Sequence, residues 1–434
     1  MAPTGIACAI LSLLASASAT DLSSITYAEF LQRHGQDRSS DHLSYEHRER
    51  LFHDQLDVIR RHNANPYASY KLGLNKFTDY TKEEFHALLG HRRIMSGQVS
   101  GQAYHAQNRT SGGSSFLQAR SRPGHDTNRN SFTDWVEQAA TVAVKDQEAC
   151  GSCWAVAAAT AMEMAAKIKT KNEVKPTSFE QLVDCVKNPQ SCGGSGGCDG
   201  ATSELAFAYI KEYGIIPEAS YKGYRSRDSN ADIECTGLPT GTSALLHAKD
   251  FVKLPSNQLQ PLMSALVENG PIVVSVDATP WQSYSSGIFN GCNRNAIVNH
   301  AVVLTGYGTE RPLGAKGERG GDSGFDVLPE DKKTAVLAES TVLLNGLAAI
   351  KDYWVIRNSW GPGWGESGNI RLARHGGDSL SQNAEDAGFC GTDTKPQEGV
   401  GCKEGPGHVD KMAVCGMCGV LSDSSYPVGV SLAK

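Results

Sequence analysis

The spacing of apolar residues divides the chain into a helical first half and a second half of short strands. Phe52, Leu56 and Ile59 recur at i, i+4 and i+7, which is the period of an amphipathic helix. The stretch from Cys153 to Thr170 holds good helix formers and neither Gly nor Pro, so it is the strongest predicted helix. Short β-branched or aromatic runs bounded by Gly, Pro and Asn predict strands. These runs cover residues 272–276, 301–307, 353–357 and 369–373.

Three stretches interrupt this pattern. Residues 96–131 are mostly Ser, Gly, Gln, Asn and Arg, a composition that predicts an exposed linker open to proteolysis. Within it, Asn108 begins a sequon for N-glycosylation. Residues 309–351 and 375–411 lack a clear period and predict two long surface insertions. We expect the first insertion to lie on a loop between two strands.

The N-terminus predicts secretion. Ile6 to Ala15 is apolar and is followed by Ala17-Ser18-Ala19, the pattern of a signal-peptidase site, so residues 1–19 are predicted to be a signal peptide. The segment lacks Lys and Arg, which leaves a buried N-terminal helix as the alternative. No other run approaches the roughly 18 apolar residues of a spanning helix, so we expect no membrane span.

Composition excludes several classes. The chain has 434 residues, of which 40% are hydrophobic and 20% charged, as in soluble globular proteins. With 41 basic and 47 acidic residues, the net charge of -6 predicts no nucleic-acid partner.

The cysteines point to a free thiol. Twelve cysteines less Cys8 in the leader leave an odd number, which in a secreted chain predicts an unpaired cysteine. Cys153 begins the strongest helix, where the helix dipole should lower the pKa of a thiol. A thiolate needs a proton shuttle, and His300 could supply it while the amide of Asn358 orients the imidazole.

Ordered motifs run through most of the chain and carry a family resemblance. They are Asp134-Trp135, Val144-Lys145-Asp146-Gln147, Cys150-Gly151-Ser152-Cys153-Trp154, Glu180 to Cys185, Gly197 to Gly200, Asn299-His300-Ala301, Gly306-Tyr307-Gly308, Asn358 to Gly361 and Gly363-Trp364-Gly365. With them the chain resembles the papain-like cysteine proteases of the cathepsin L type. The resemblance implies an α+β fold with a helical left domain and a β-barrel-like right domain, preceded by a helical inhibitory prodomain.

The resemblance also implies roles for individual residues. Cys153 would be the nucleophile and His300 the general base, then the acid. Asn358 would hold the imidazole, and Trp360 would shield the bond between them from water. Gln147 and the backbone N–H of Cys153 would form the oxyanion hole.

A set of residues is expected to bind substrate by the same resemblance. They are Gly200, Ala201, Thr202, Ser203, Ser275, Val298, Asn299, Trp360 and Asp423. Asp423 would form the floor of the S2 pocket, where a carboxylate pairs with a cation, so Arg or Lys should be accepted at P2 beside aliphatic side chains. The alternative is that Asp423 points into solvent or caps a turn.

The resemblance divides the chain into a propeptide and a peptidase. The propeptide would cover residues 20–127, with an inhibitor prodomain at 27–90 and a linker at 91–127, and the peptidase residues 128–434. Gly73-x-Asn75-x-Phe77-x-Asp79 matches a prosegment motif. Ser44 and Gln55 stand where the family has Glu and Asn, which leaves the inhibitory strength open.

The implied protein is a zymogen of a cysteine endopeptidase that acts through a thioester acyl-enzyme. Its partners would be protein and peptide substrates, its own prosegment and inhibitors of the cystatin type. We expect a monomer without cofactor or metal, in the lysosome or vacuole or outside the cell.

By the same resemblance three disulfides join Cys150 to Cys198, Cys185 to Cys235 and Cys292 to Cys418. Cys192, Cys390, Cys402 and Cys415 remain. We expect Cys390 to pair with Cys402, although a sequence leaves connectivity open.

Two rival interpretations use the same residues. Cys150-x-x-Cys153 and Cys415-x-x-Cys418 are also typical of a dithiol oxidoreductase or a four-cysteine zinc site, but neither pair lies in a compact βαβ unit. A catalytically inactive papain-like binding protein is the other rival. The retained Cys153, His300 and Asn358 argue against it.

Overall fold

A computed structural model describes residues 22, 24–34, 42–89, 133–135, 142–221, 235, 241–310, 351–374 and 389–432. The predicted signal peptide, the linker with Asn108 and nearly all of the insertion at 309–351 lie outside these ranges.

Helices dominate the first half of the chain. They are α1 (Tyr27–His34), α2 (Tyr45–Asn63), α3 (Lys82–Ala87), α4 (Cys153–Thr170), α5 (Phe179–Cys185), α6 (Ser203–Tyr213) and, further on, α7 (Leu259–Asn269). The predicted helix α4 has the expected bounds. None of the helices within the described ranges is long and apolar enough to cross a bilayer.

Strands dominate the second half. They are β1 (Tyr70–Leu72), β2 (Thr133–Asp134), β3 (Leu246–His247), β4 (Asp250–Lys253), β5 (Ile272–Val276), β6 (Tyr284–Phe289), β7 (His300–Glu310), β8 (Lys351–Arg357), β9 (Asn369–Ala373), β10 (Cys390–Asp393), β11 (Met412–Cys415), β12 (Ser424–Val428) and β13 (Ser431–Leu432). All four predicted strand segments lie in β5, β7, β8 and β9.

The N-terminal helices form a small unit with its own core. Phe52 and Leu56 on α2 pack in a buried cluster with Tyr27 and Phe30 on α1. The apolar period of α2 therefore marks its inner face, as predicted.

A buried charge connects α2 to α3. The side chain of Arg48 is 2% exposed; its Nη1 donates to the carbonyl of Asp79 at 2.8 Å, and its guanidinium pairs with Glu84 on α3. The Tyr27 hydroxyl donates to the Asp79 carboxylate at 2.8 Å. Because a buried ion is stable only when it is paired, these contacts hold α3 against α2.

One large sheet joins the N-terminal unit to the rest of the chain. Its strand order is β1-β6-β9-β8-β7-β5-β12-β4, with β2 also paired to β7. β1 pairs antiparallel with β6, and Gln55 on α2 donates to Ser283 Oγ at 2.8 Å. Gln55, one of the two departures from the family prosegment, thus contributes a contact between the two units.

The main body of the chain has two hydrophobic cores. One surrounds α4 and includes Trp154 and Phe207; the other lies on the sheet side and includes Trp281 and Trp354. The first residues of β7 lie between these cores, and Ala301 belongs to the one around α4.

The two insertions leave the sheet side at defined points. β7 ends at Glu310 and β8 begins at Lys351, and these two residues pair across the antiparallel ladder. The first insertion therefore connects two neighbouring strands. In the second, residues 389–411 are described, and β10 pairs antiparallel with β11.

Five disulfides occur among the described cysteines. The three that family resemblance implied are present: Cys150–Cys198, Cys185–Cys235 and Cys292–Cys418. The expected Cys390–Cys402 bond is wrong, because Cys390 bonds to Cys415 and Cys192 bonds to Cys402. The ladder of β10 and β11 places Cys390 opposite Cys415, a contact that sequence separation does not reveal.

Replacing Arg48 by Ala should loosen the N-terminal unit selectively. The change leaves Glu84 and the Asp79 carbonyl without their buried partner, so we expect the free energy of local opening of α2 and α3 to fall by roughly 3 kcal/mol. Amide hydrogen exchange on the full chain measures this, with α4 as the internal reference. Arg50→Ala, which removes an exposed side chain of α2, is the matched control. Equal protection in both variants would contradict the role given to Arg48.

Candidate active site

Cys153 is the free cysteine of the described residues and opens α4. Its side chain is 5% exposed, and its Sγ accepts a hydrogen bond from the backbone N–H of Ala301 at 3.4 Å. Burial raises the pKa of the Cys153 thiol to about 11, although the N–H of Ala301 acts in the opposite direction. The expectation of a lowered pKa is therefore wrong for this state, because desolvation exceeds the effect of the helix N-terminus.

His300 begins β7 and faces Asn358. Its Nε2 lies 2.8 Å from Asn358 Oδ1, while Nδ1 has no hydrogen-bond partner within the part of the chain that the structure describes. The ring of Trp360 packs against the imidazole with centroids 4.9 Å apart. Burial lowers the pKa of His300 to about 4, partly offset by the bond to Asn358, so the imidazole is neutral here.

Gln147 lies on the loop before α4 and is fully buried. Its Oε1 accepts from the hydroxyl of Ser359, and its Nε2 donates to the carbonyls of Cys150 at 2.9 Å and Leu88 at 2.6 Å. The bond from Ser359 orients the amide so that its N–H groups point toward Leu88.

The N-terminal unit covers this site. Phe77 and Phe85 pack edge-on against Trp360, with ring centroids 5.4 and 5.3 Å away. Asn75 donates to the carbonyl of Gln282 at 2.8 Å. The motif from Gly73 to Asp79 thus positions the chain so that the residues after α3 enter the cleft.

A cavity lies between the two cores and holds both Cys153 and His300. Its lining consists of Leu89, Cys153, Gly193, Gly200, Ala201, Thr202, Ser203, Ser275, Asn299, His300, Ala301, Glu398 and Gly399. Six of the nine residues expected to bind substrate are among them. Of the other three, Trp360 covers the imidazole, Val298 is buried in a cluster with Ala296 and Val414, and Asp423 lies behind Ser275.

Asp423 already has a cation beside it. Its carboxylate accepts from Ser275 Oγ at 2.8 Å and pairs with Lys253 Nζ at 2.7 Å. Lys253 also lies 3.6 Å from Glu204, whose pKa is raised by burial and by the charge of Asp423. Asp423 thus does not point into solvent, which was the alternative considered from the sequence.

Sequence reasoning did not find Gly193, Glu398 and Gly399. Glu398 and Gly399 belong to the second insertion, which we expected to lie on the surface. A signal for their place existed in Cys192, an extra cysteine directly before Gly193, because its disulfide partner Cys402 brings the insertion to this wall.

The disulfides do not fit the interpretation of either Cys-x-x-Cys pair as a dithiol or zinc site. Cys150 is bonded to Cys198 and not to Cys153, and Cys415 and Cys418 are bonded elsewhere, so neither Cys-x-x-Cys pair is a dithiol. Among the described residues, no group of His, Cys, Asp and Glu has the arrangement of a metal site.

Comparison with known proteins agrees with this geometry. The family model described as papain family cysteine protease matches residues 130–391, and that of the cathepsin propeptide inhibitor domain matches residues 27–85.

Similar curated proteins come from plants. Probable cysteine protease RDL3 of Arabidopsis thaliana is 31% identical over 76% of this chain and 72% of its own length. Vignain of Vigna mungo is 32% identical over 74% and 73%.

Two similar solved structures are proforms. A recombinant stem bromelain precursor has a TM-score of 0.56 at 27% identity, covering 93% of this chain and 97% of its own. Digestive procathepsin L 3 of Tenebrio molitor, at 24% identity and a TM-score of 0.57 over 92% and 97% of the two chains, shares the fold. The chain therefore belongs to the papain family of cysteine proteases, and it is a zymogen that carries a cathepsin-type propeptide inhibitor domain.

Proposed function

We propose that the mature form hydrolyses peptide bonds with Cys153 as the nucleophile, His300 as the proton shuttle and Asn358 as the residue that positions the imidazole. The observation that carries this assignment is the 2.8 Å contact between His300 Nε2 and Asn358 Oδ1. It leaves Nδ1 of His300 as the ring atom for exchange of a proton with the thiol of Cys153.

Gln147 would stabilise the oxyanion together with the backbone N–H of Cys153. In the zymogen a carbonyl oxygen, that of Leu88, accepts from Gln147 Nε2 at 2.6 Å, which is the contact that a substrate oxyanion would make. Ser359 holds the amide in this orientation, and preorganised donors of this kind lower the barrier to acyl transfer.

The reaction then proceeds in two halves. The thiolate of Cys153 attacks the peptide carbonyl while the imidazolium of His300 gives its proton to the departing amine, which leaves a thioester. A water molecule then gives a proton to His300 and attacks the thioester; the C–S bond breaks, the acid product leaves, and the thiolate of Cys153 and the imidazolium of His300 are restored. Each half of the reaction moves one proton through His300. The imidazole must therefore be positioned by Asn358 while its Nδ1 stays accessible.

The propeptide would keep the enzyme inactive in two ways. It fills the oxyanion site with the carbonyl of Leu88, and it buries Cys153 and His300 as neutral groups. The pKa of buried His300 is about 4 against an ordinary 6.5, so an uncovered imidazole binds more protons between these values. Falling pH through this window therefore favours the uncovered state, which supports activation in acid.

The S2 pocket is proposed to prefer aliphatic side chains. Ser275 lines the cavity with Asp423 behind it, and Lys253 pairs with that carboxylate. Because Lys253 neutralises much of the charge, we expect Arg or Lys at P2 to be accepted more weakly than an isolated Asp423 would allow.

The remaining expectations from the sequence also stay proposals. We infer passage through the secretory route to a lysosome, vacuole or the cell exterior, with protein and peptide substrates, cystatin-type inhibitors and a monomeric state. The five disulfides among the described residues support an oxidising compartment.

Substitutions of the proposed catalytic residues should lower activity in a fixed order. Cys153→Ala should abolish peptide hydrolysis and His300→Ala should be nearly as damaging, because each removes a reacting group. Gln147→Ala should lower kcat/KM by roughly 10²- to 10³-fold, and Asn358→Ala should be milder than His300→Ala because it removes orientation only. Gln260→Ala on α7, outside the cavity, is the control in the same peptide assay. Hydrolysis that persists in Cys153→Ala would exclude this mechanism.

The thiol of Cys153 should react very differently before and after the propeptide is removed. Because the thiolate is the reactive form, iodoacetamide should label the full-length zymogen slowly until the pH approaches about 11. The mature enzyme should be labelled readily near pH 6, since exposure removes the desolvation penalty. Mass spectrometry follows the labelling, with Cys153→Ala giving the background. Equal rates for both forms at neutral pH would contradict the proposed masking.

Removing Lys253 should reveal the charge of Asp423. Lys253→Met should raise the ratio of Arg to Leu turnover at P2 by roughly tenfold, the value of one charge-assisted hydrogen bond. Asp423→Asn in the same background should reverse the gain. Lys249→Met, which replaces an exposed lysine, is the matched control in a peptide library at about pH 6. An unchanged ratio of Arg to Leu turnover in Lys253→Met would show that Asp423 does not contribute to the pocket.

A further inference from the structure

The described part of the second insertion crosses the substrate cleft. We define the strap as residues 390–415, which begin and end at the Cys390–Cys415 disulfide on the sheet side. Between these ends the strap reaches the helical side, where Cys402 is bonded to Cys192. Most of the strap lies beyond residue 391, where the match to the papain family model ends.

The strap pairs with the helical wall as a short strand would. Gly193 N–H donates to the carbonyl of Gly401 at 2.9 Å, and Lys403 N–H donates to the carbonyl of Ser191 at 3.3 Å. Together with the Cys192–Cys402 bond, these contacts fix the strap to residues 191–193.

The strap also rests on the opposite wall. The buried carboxylate of Asp393 accepts from the backbone N–H of Val298 at 3.0 Å. A Cβ on Gly399 would lie 1.9 Å from the carbonyl oxygen of Val298, and a Cβ on Gly193 would lie 2.3 Å from the carbonyl oxygen of Gly399. The backbone at Gly399 is thus held between Gly193 on one wall and Val298 on the other, with no room for a side chain.

The proposed nucleophile and the strap line one cavity. Cys153 and Gly399 line the same cavity, and so do Ala201 and Ser275 of the proposed S2 region. In the propeptide, the carbonyl of Leu88 accepts from Gln147, and the next residue, Leu89, lines that cavity together with Gly399.

The closed end carries negative charge. Glu398 lines the cavity beside Gly399. Burial raises the pKa of Asp393, and the charges of Glu398 and Asp277 raise it further. Lys395, whose side chain is 62% exposed, pairs with Glu398 at 3.1 Å. These three carboxylates give the described end of the cleft a negative potential that favours a cation.

We propose that the strap closes the cleft on the side that receives the residues before the scissile bond, so that the mature enzyme removes short N-terminal peptides, with Glu398 binding the free amino group of the substrate. This inference rests on the proposed function, since the same Cys153 performs the chemistry. The strap limits the substrate to about two residues ahead of the scissile bond, and the ammonium group of the first residue takes a charge-assisted bond to the carboxylate.

A series of reporter peptides tests the proposal on the mature enzyme. Fluorogenic amides with two to four residues before the scissile bond, Leu constant at P2, are compared with free and with acetylated N-termini at about pH 6. We expect the free dipeptide to have a kcat/KM at least tenfold above that of the acetylated tetrapeptide. Glu398→Gln should bring the ratio of free to acetylated dipeptide close to one, whereas Glu404→Gln, an exposed carboxylate of the same strap, should keep it.

Release of the strap gives an independent readout. Replacing both Cys192 and Cys402 by Ser removes its bond to the helical wall, and we expect turnover of the tetrapeptide to rise by roughly tenfold relative to the dipeptide. Iodoacetamide titration of Cys153 confirms an intact site in every variant. The proposal is overturned if the tetrapeptide is the best substrate of the wild type. It is also overturned if Glu398→Gln lowers kcat/KM equally for all the reporter peptides. Loss of all hydrolysis in the titratable wild type would instead overturn the proposed function.

Discussion

The thiol of Cys153 and the backbone N–H of Ala301 meet where two hydrophobic cores adjoin, one around α4 and one on the large sheet. Neither core alone contains a complete site, because the nucleophile opens a helix and the imidazole opens a strand. The contact depends on packing α4 against β7, and the oxyanion donor and the residue that orients the imidazole are positioned relative to it. A change in the angle between the two cores would therefore separate groups that react only within hydrogen-bond distance.

Desolvation decides the charge state of this contact in the zymogen. A helix N-terminus and a neighbouring N–H both favour a thiolate, yet complete burial raises the pKa of the thiol to about 11 and lowers that of the imidazole to about 4. Burial under the propeptide thus favours the neutral forms of Cys153 and His300, the proposed catalytic pair. The same burial makes the covered state sensitive to acid, because the uncovered imidazole binds a proton more readily.

The strap and the S2 region show how additions outside the family motifs reshape a shared site. Lys253 pairs with Asp423, where a basic P2 side chain of the substrate would otherwise bind in the proposed pocket. Gly399 is held between the two walls of the cleft. In the proposed function both features act on substrate selection and leave the arrangement of Cys153, His300 and Asn358 unaltered. Selection and chemistry therefore depend on different parts of the chain.

The sequence by itself determined the elements and residues whose signals are local. The bounds of α4 follow from a run of helix formers, the strands follow from short β-branched runs, and ordered motifs identified the family and three disulfides.

Only the tertiary structure decided what depends on contacts between distant segments. It paired Cys192 with Cys402 and Cys390 with Cys415, brought Lys253 to Asp423, placed Glu398 in the cleft and raised the pKa of Cys153 by burial. The physical reason is the same in each case. Disulfide partners, counter-ions and desolvation depend on which surfaces meet in space, and residues 25 to 210 positions apart carry no local pattern that records such a meeting.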